Sequence, residues 1–320
     1  MLRSLFIYLS KAAWARRLVT NWSFAWRTAS RFVSGSTLPE AIAAVRALNA
    51  KGIYATLDNL GENTTTPEAA RTATAEILSL IDAIQAAGVQ ANASVKLSQI
   101  GLTLDPALCA ANLQEILNRA AAHGIFVRID MEDSALVDRT LGVYRQMRQE
   151  CGLSNTGVVI QSYLYRSAED IRSLAPLGGK VRLCKGAYQE PADIAFPHKA
   201  DVDANYDLLA EMLIEAALAA GAPEASPDGK VPPIPAIASH DPKRLAHAKQ
   251  AAARHGLPKR AIEFQMLYGI RRDLQEQTAA EGYPVRVYVP YGAEWYPYFV
   301  RRLAERPANV WFFISNFFRK

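Results

Sequence analysis

The chain has 320 residues, 50% of them hydrophobic and 21% charged, which is the balance of a folded globular protein and excludes a disordered or collagen-like one. Its three cysteines, Cys109, Cys151 and Cys184, are too few and too dispersed for a disulfide scaffold or a thiolate zinc site, and they point to a reducing compartment. The net charge of +5, from 36 basic and 31 acidic residues, is a weak argument for nucleic acid, and the apolar run 5–9 is too short to span a bilayer or to form a usual signal core.

Residues 1–39 carry Arg3, Lys11, Arg16, Arg17, Arg27 and Arg31, with no acid before Glu40. The segment 1–45 reads as a helical arm over one end or side of the main domain, with Trp14, Trp22, Phe24 and Trp26 as packing residues. From about residue 50 onward one unit repeats: a short β-branched run, a polar turn, then an alanine-rich helical stretch. The strand runs fall at 53–57, 93–97, 125–131, 157–163, 181–184, 234–238, 261–266 and 285–289. The helical stretches fall at 67–87, 106–122, 134–150, 167–174, 200–220, 242–255, 270–280 and 295–305. Gly88, Gly124 and Gly256 mark helix ends, and Pro106 and Pro242 mark helix starts.

Eight strand–helix units are what a closed (β/α)8 barrel needs. A doubly wound sheet usually carries fewer units, and a dinucleotide-binding version would show a GxGxxG fingerprint after an early strand, which this chain lacks. The predicted organisation is an arm at 1–45, a barrel at 46–309 and an aromatic, helical tail at 310–320 that either packs on the barrel or meets a membrane or partner. The proline-rich stretch 221–235, with prolines at 223, 227, 232, 233 and 235, reads as a surface excursion.

Active sites of such barrels lie at the C-terminal ends of the strands. That rule selects Asp58 and Glu62, then Lys96, then Asp130, Glu132 and Asp133, then Gln161 and Tyr163, then Arg182, Lys185 and Tyr188. It goes on to Ser239, His240 and Asp241, then Glu263, Gln265 and Tyr268, and last Tyr288 and Tyr291. Polar groups inside apolar strands must be hydrogen-bonded and charges paired, so Lys96 is expected to meet Asp130 from the neighbouring strand. A metal site is not expected: of the five histidines only His240 is well placed, and no HxxxH or HExxH occurs. Arg301 and Arg302, on a helix that follows an aromatic, glycine-containing loop, suggest a small carboxylate-bearing substrate, because guanidinium forks match a carboxylate.

These segments carry a family resemblance. Thr56-Leu57-Asp58 with Gly61-Glu62, Ser94-Val95-Lys96-Leu97-Ser98, Val127-Arg128-Ile129-Asp130-Met131-Glu132 and Val159-Ile160-Gln161-Ser162-Tyr163 follow one another in order. Arg182-Leu183-Cys184-Lys185-Gly186-Ala187-Tyr188, Ala238-Ser239-His240, Glu263-Phe264-Gln265-Met266-Leu267-Tyr268-Gly269 and Tyr288-Val289-Pro290 through Arg301-Arg302-Leu303 complete the series. Together they resemble the monofunctional bacterial proline dehydrogenases. The resemblance implies a distorted (β/α)8 TIM barrel with additional N-terminal helices, binding FAD non-covalently. It implies oxidation of L-proline to Δ1-pyrroline-5-carboxylate, with electrons passed to a membrane quinone. It also implies a cytoplasmic protein that meets the inner face of the membrane peripherally and has no nucleic-acid partner.

Carried over by the resemblance, Arg301, Arg302 and Lys96 hold the proline carboxylate, and Asp130 supports that basic cluster. Tyr188, Leu267 and Tyr288 pack around the proline ring. Gln161 and Arg182 bond the flavin ring, with Arg182 beside its N5, and Lys185, Gly186 and His240 lie near its ribityl or phosphate portion. Glu62 tethers the last helix through an arginine. Cys184 stands where the family often has an aliphatic residue and reads as packing. The rival substrate is a hydroxyproline, which the Tyr288 ring would repel if it packs over the substrate's C4 edge.

Overall fold

The computed structural model describes Trp26 and residues 28–305. Most of the predicted arm and the whole tail 310–320 lie outside the described residues. In chain order the elements are α1 (Leu38–Asn49), β1 (Tyr54–Asn59), α2 (Pro67–Ala87), β2 (Ala91–Val95), α3 (Pro106–Ala122), β3 (Val127–Ile129), α4 (Val137–Arg145), β4 (Thr156–Gln161) and α5 (Ser167–Leu174). They continue with β5 (Lys180–Cys184), α6 (Lys199–Ala219), β6 (Pro235–Ala238), α7 (Pro242–Arg254), β7 (Glu263–Leu267), α8 (Arg272–Ala280), β8 (Val285–Tyr291) and α9 (Trp295–Glu305).

The strands form one closed barrel in sequence order, and every neighbouring pair is parallel. Closure is made by β1 on β8, from Tyr54 opposite Arg286 to Asn59 opposite Tyr291. The expected alternation of strand and helix is therefore the observed one. Helix starts obey local chemistry: Thr66, Asp105 and Asp241 each accept a backbone N–H of the following first turn, and each is followed by proline. The predicted helix 134–150 is less regular than its pattern, with a short 3-10 turn before α4 and a π turn after it.

The aliphatic core lies between the strands and the helical ring. The barrel interior is different, because it is filled largely by polar and charged side chains. At its N-terminal end Arg286 and Glu263, both fully buried, form a two-point ion pair, with Nε–Oε1 at 2.8 Å and Nη2–Oε2 at 3.0 Å. Such a pair gains little over an apolar one, but it must stay whole, since breaking it strands a buried charge at a cost of roughly 3–5 kcal/mol.

The stretch 221–235 was expected to be a surface excursion, and the structure corrects this. It lies across the N-terminal end of the barrel and supplies acceptors to the interior charges. Arg286 donates to the Gly229 carbonyl at 2.8 Å, Lys180 to that of Pro232 at 2.7 Å and Asn92 to that of Lys230 at 3.3 Å. Ala225, Gly229, Pro232 and Pro233 are buried. The prolines had suggested a solvent loop, but a proline carbonyl is as good an acceptor as any other.

At the opposite end, residues 28–36 brace the last helix. Ala29, Phe32 and Val33 share an apolar cluster with Trp295, Tyr296 and Phe299 of α9, and Trp26 meets the Trp295 ring edge-on at 5.4 Å. Ser34 and Gly292 exchange backbone hydrogen bonds with Pro290 and Gly35, so this segment and the β8–α9 loop hold each other.

Lys180 gives a prediction about the barrel floor. Burial, with the Arg128 guanidinium adding to it, lowers its ammonium from 10.5 to about 8. The unfolded chain holds protons more tightly at this residue, so the penalty is full below pH 8 and is relieved as pH rises towards 10.5. Lys180→Met should gain in Tm relative to the parent at pH 7, and that relative gain should shrink by roughly 2 °C or more by pH 9.5. Paired thermal melts check this, and a gap independent of pH would contradict it.

Candidate active site

Twelve of the residues given a role from the sequence line one cavity of about 390 Å³ at the C-terminal end of the barrel: Lys96, Asp130, Gln161, Arg182, Lys185, Gly186, Tyr188, His240, Leu267, Tyr288, Arg301 and Arg302; Glu62 lines the chamber beside it. A larger chamber of about 1140 Å³ adjoins it and shares Lys96, Ala187, Tyr188, Tyr298 and Arg301 as walls. The outer chamber is rimmed by carboxylates, among them Glu62, Glu132, Asp133, Glu190 and Glu294.

Asp130, just beyond β3, is the hub of the inner cavity. Its Oδ1 accepts from Ser94 at 2.6 Å and from Arg182 Nη1 at 2.8 Å, and its Oδ2 accepts from Tyr288 at 2.7 Å and Lys96 at 3.5 Å. Lys96 also donates to both oxygens of Asp58 at 3.0 Å. The expected Lys96–Asp130 pair is present, but Asp58 is the nearer partner. Asp58 was placed at the strand end from sequence without being given a role. The register explains the pairing: Asp58 stands opposite Ser94, two residues before Lys96, and a buried lysine between two buried acids takes both.

The protonation states follow from this arrangement. Burial works against the Lys96 ammonium, but Asp58 and Asp130 outweigh it and hold its pKa above the ordinary value, so it stays a cation. Burial would also raise Asp130, yet Lys96 and Arg182 together pull it below the usual carboxylate range. For Asp58, burial, with the Asp130 charge adding to it, outweighs Lys96 and the Tyr288 phenol and pushes the pKa up. The Tyr288 phenol is raised by burial and by Asp130, so it donates to Asp130 as a neutral group.

Arg301 and Arg302 enter this cavity from α9. Arg301 Nη1 is bonded to Glu62 Oε1 at 2.6 Å, across the outer chamber, and Arg302 lies over the Tyr298 ring at 5.2 Å. Burial opposes the Arg301 charge and Glu62 restores it, leaving its pKa raised.

The opposite wall comes from β4, β5 and the turns after β5 and β6. Gln161 donates to the Glu132 carbonyl at 3.2 Å, while its buried Oε1 has no hydrogen-bond partner among the described residues. Gly186 has φ +112°, and a Cβ there would run into the Tyr163 ring, so only glycine lets the chain pass this close. Lys185 bridges Asp203 at 2.6 Å and Asp241 at 3.0 Å. His240 makes a loop hydrogen bond, its Nε2 accepting the Leu267 N–H at 2.9 Å, while also lining the cavity. Gln265 lacked a role in the sequence reading, but it accepts from Arg182 Nε at 2.6 Å and forms part of the cavity wall. Among the described residues no helix is long and apolar enough to cross a membrane, and no group of three or more His, Cys, Asp or Glu residues is arranged to hold a metal.

Comparison with known proteins shows the family and the fold that this chain shares. The family described as Proline dehydrogenase matches residues 41–314. The chain is 41% identical over 323 residues to proline dehydrogenase 1 of Bacillus subtilis strain 168, covering 100% of both chains. It is 43% identical over 294 residues to proline dehydrogenase of Deinococcus radiodurans, covering 91% of this chain and 90% of that one. Among solved structures it is similar to proline utilization A from Bdellovibrio bacteriovorus inactivated by N-propargylglycine, with a TM-score of 0.77 at 27% identity over 88% of this chain. The chain spans only 33% of that larger protein.

One consequence of the wall chemistry can be tested directly. Burial raises the Cys184 thiol to about 12 despite the nearby Arg182, and burial likewise raises Cys109 to about 12. Neither presents a thiolate near neutrality, so both should alkylate at pH 8 at least about a hundredfold more slowly than a small free thiol. Mass-spectrometric mapping of iodoacetamide labelling checks this. Rapid labelling of Cys184 would mean that it is a reactive group and not a packing one.

Proposed function

The chain belongs to the proline dehydrogenase family and is an FAD-dependent oxidoreductase, and on that footing we propose that it oxidises L-proline to Δ1-pyrroline-5-carboxylate as the first step of proline breakdown. The observation that carries the reading is the meeting of Lys96, Arg301 and Arg302 with Tyr188, Leu267 and Tyr288 around one cavity. Three cations and three apolar surfaces suit a small ring that bears a carboxylate. The proposal includes a membrane quinone as final electron acceptor, and a cytoplasmic enzyme that meets the inner face of the membrane peripherally.

The residues on the β4–β6 side fit a flavin. Among the described residues Gln161 offers a buried acceptor without a partner, Arg182 and Lys185 offer cationic donors, and Gly186 lies in the same wall. In this reading Gln161, Arg182, Lys185, Gly186 and His240 hold the FAD non-covalently. Bound there, FAD would supply a two-electron acceptor for the C5–H of proline.

The protein's own contribution is position and charge. Lys96, Arg301 and Arg302 take the carboxylate, and the ring lies among Tyr188, Leu267 and Tyr288. The nitrogen lone pair forms the C=N bond as the C5–H bond breaks, so no side-chain nucleophile is required. Arg182 places a positive charge where the electrons arrive. Asp130 orients Arg182, Lys96 and Tyr288 together, and misplacing any of them would loosen the alignment of the reacting atoms.

Purified protein carrying FAD should be yellow and should bleach when L-proline is added without oxygen. Protein that cannot be loaded with FAD, or that does not bleach, would overturn the assignment. Arg301→Ala and Arg302→Ala should each weaken proline binding by roughly 2–5 kcal/mol, the cost of losing a buried charged hydrogen bond, and weaken FAD binding much less. Anaerobic titration measures both affinities, and unchanged proline affinity in both variants would remove the arginine clamp.

The Tyr288 phenol bonded to Asp130 at 2.7 Å also bears on the choice between cyclic amino acids. A ring fixed this way has little freedom to yield to an added hydroxyl. Turnover of L-proline should therefore exceed that of trans-4-hydroxy-L-proline with the same artificial acceptor. The reverse preference would reassign the substrate.

A further inference from the structure

Arg182 is held at two of its edges. Nε donates to Gln265 Oε1 at 2.6 Å and Nη1 to Asp130 Oδ1 at 2.8 Å, while Nη2 makes no hydrogen bond among the described residues. Two pinned edges fix the guanidinium plane, and the third edge is left for whatever occupies the cavity that Arg182 lines. The Asp130 contact belongs to the hub described above. The Gln265 contact has a different origin, which lies on the barrel floor.

A glutamine side chain has a donor end and an acceptor end, and Arg182, which can only donate, needs the acceptor end. Here Gln265 Nε2 donates to Glu263 Oε1 at 2.5 Å. Both Glu263 oxygens accept from Arg286, so the carboxylate presents acceptors and no donor to the amide. The amide must therefore turn its NH2 towards Glu263, which leaves its oxygen for Arg182. Arg286 is itself fixed from below, by the Ala55 carbonyl and the Gly229 carbonyl, each at 2.8 Å. The chain of contacts runs unbroken from the floor stretch 221–235 to the mouth.

We infer that Gln265, Glu263 and Arg286 form a positioning column, in which the Glu263–Arg286 ion pair locks the Gln265 amide in the one orientation that sets the Arg182 guanidinium beside the cofactor. This rests on the proposed flavin-side placement of Arg182. The column residues touch no reacting atom, and they act through Arg182. Without Glu263 as its acceptor the buried NH2 loses its partner, and the amide is no longer held where its oxygen meets Arg182 Nε–H.

Two FAD-loaded variants test the column. Gln265→Met keeps the volume and leaves the Glu263–Arg286 pair intact, while removing the link to Arg182. The double variant Glu263→Met with Arg286→Met replaces the ion pair by an apolar one, which barrel interiors tolerate far better than a half-pair. In both, the flavin midpoint potential, measured by reductive titration without proline, should move to more negative values, because the positive charge near the flavin is no longer held in place. The rate of flavin reduction by proline should fall at least tenfold, with the proline dissociation constant changed less than threefold. If the double variant does not fold, Gln265→Met decides alone. Wild-type potential and reduction rate in Gln265→Met would overturn the inference, even if its Tm has dropped. A parent enzyme that takes up FAD but is not reduced by proline would instead overturn the substrate reading, and the potential measurement would still judge the column.

Discussion

The Asp130 carboxylate accepts from four side chains on three sides of the barrel: Ser94 and Lys96 from the β2 end, Arg182 from β5 and Tyr288 from β8. Around a buried acid this number of donors is the condition for keeping it ionised, since burial alone would protonate it. The same condition orients the donors. A lysine and an arginine that share one carboxylate are held in place by its two oxygens, and a tyrosine tied to that acid keeps a fixed ring. Nearly every polar feature of the inner cavity can be traced to this one group.

A second consequence follows for the rest of the barrel. A (β/α)8 interior is usually filled by aliphatic layers, whereas here Arg128, Arg182, Arg286 and Glu263 occupy it. Charges so far from water need acceptors on every side. The mouth supplies Asp58 and Asp130, and the floor supplies Glu263 together with main-chain carbonyls, those of Gly229 and Pro232 among them. The stretch 221–235 belongs to the interior network for this reason, although it lies at the surface end of the barrel. The geometry needed at one end of the barrel thus depends on contacts at the other.

The mouth is completed by α9, which packs through Trp295, Tyr296 and Phe299 on residues 28–36. An apolar seam beneath and a charged edge above let this helix carry Arg301 to Glu62 and Arg302 to the inner cavity. The two chambers differ in sign, with carboxylates rimming the outer one and cations converging on the inner one.

The eight strand–helix units, the helix starts at Pro67, Pro106 and Pro242, and the set of residues at the strand ends were legible in the sequence, because period, capping and strand direction are local properties. The family resemblance was legible as well, since it rests on short ordered motifs. Partnership was decided only by the closed barrel. Lys96 was paired with Asp130 from adjacency of strands, but register and burial bring Asp58 nearer. Gln265 read as one polar strand residue among several, and its contact with Arg182 spans 83 positions. The prolines of 221–235 signalled a loop, and no local signal could say that its carbonyls would face the buried Arg286 and Lys180. Sequence periodicity fixes which way a side chain points, whereas the identity of its partner depends on which strands closure brings together.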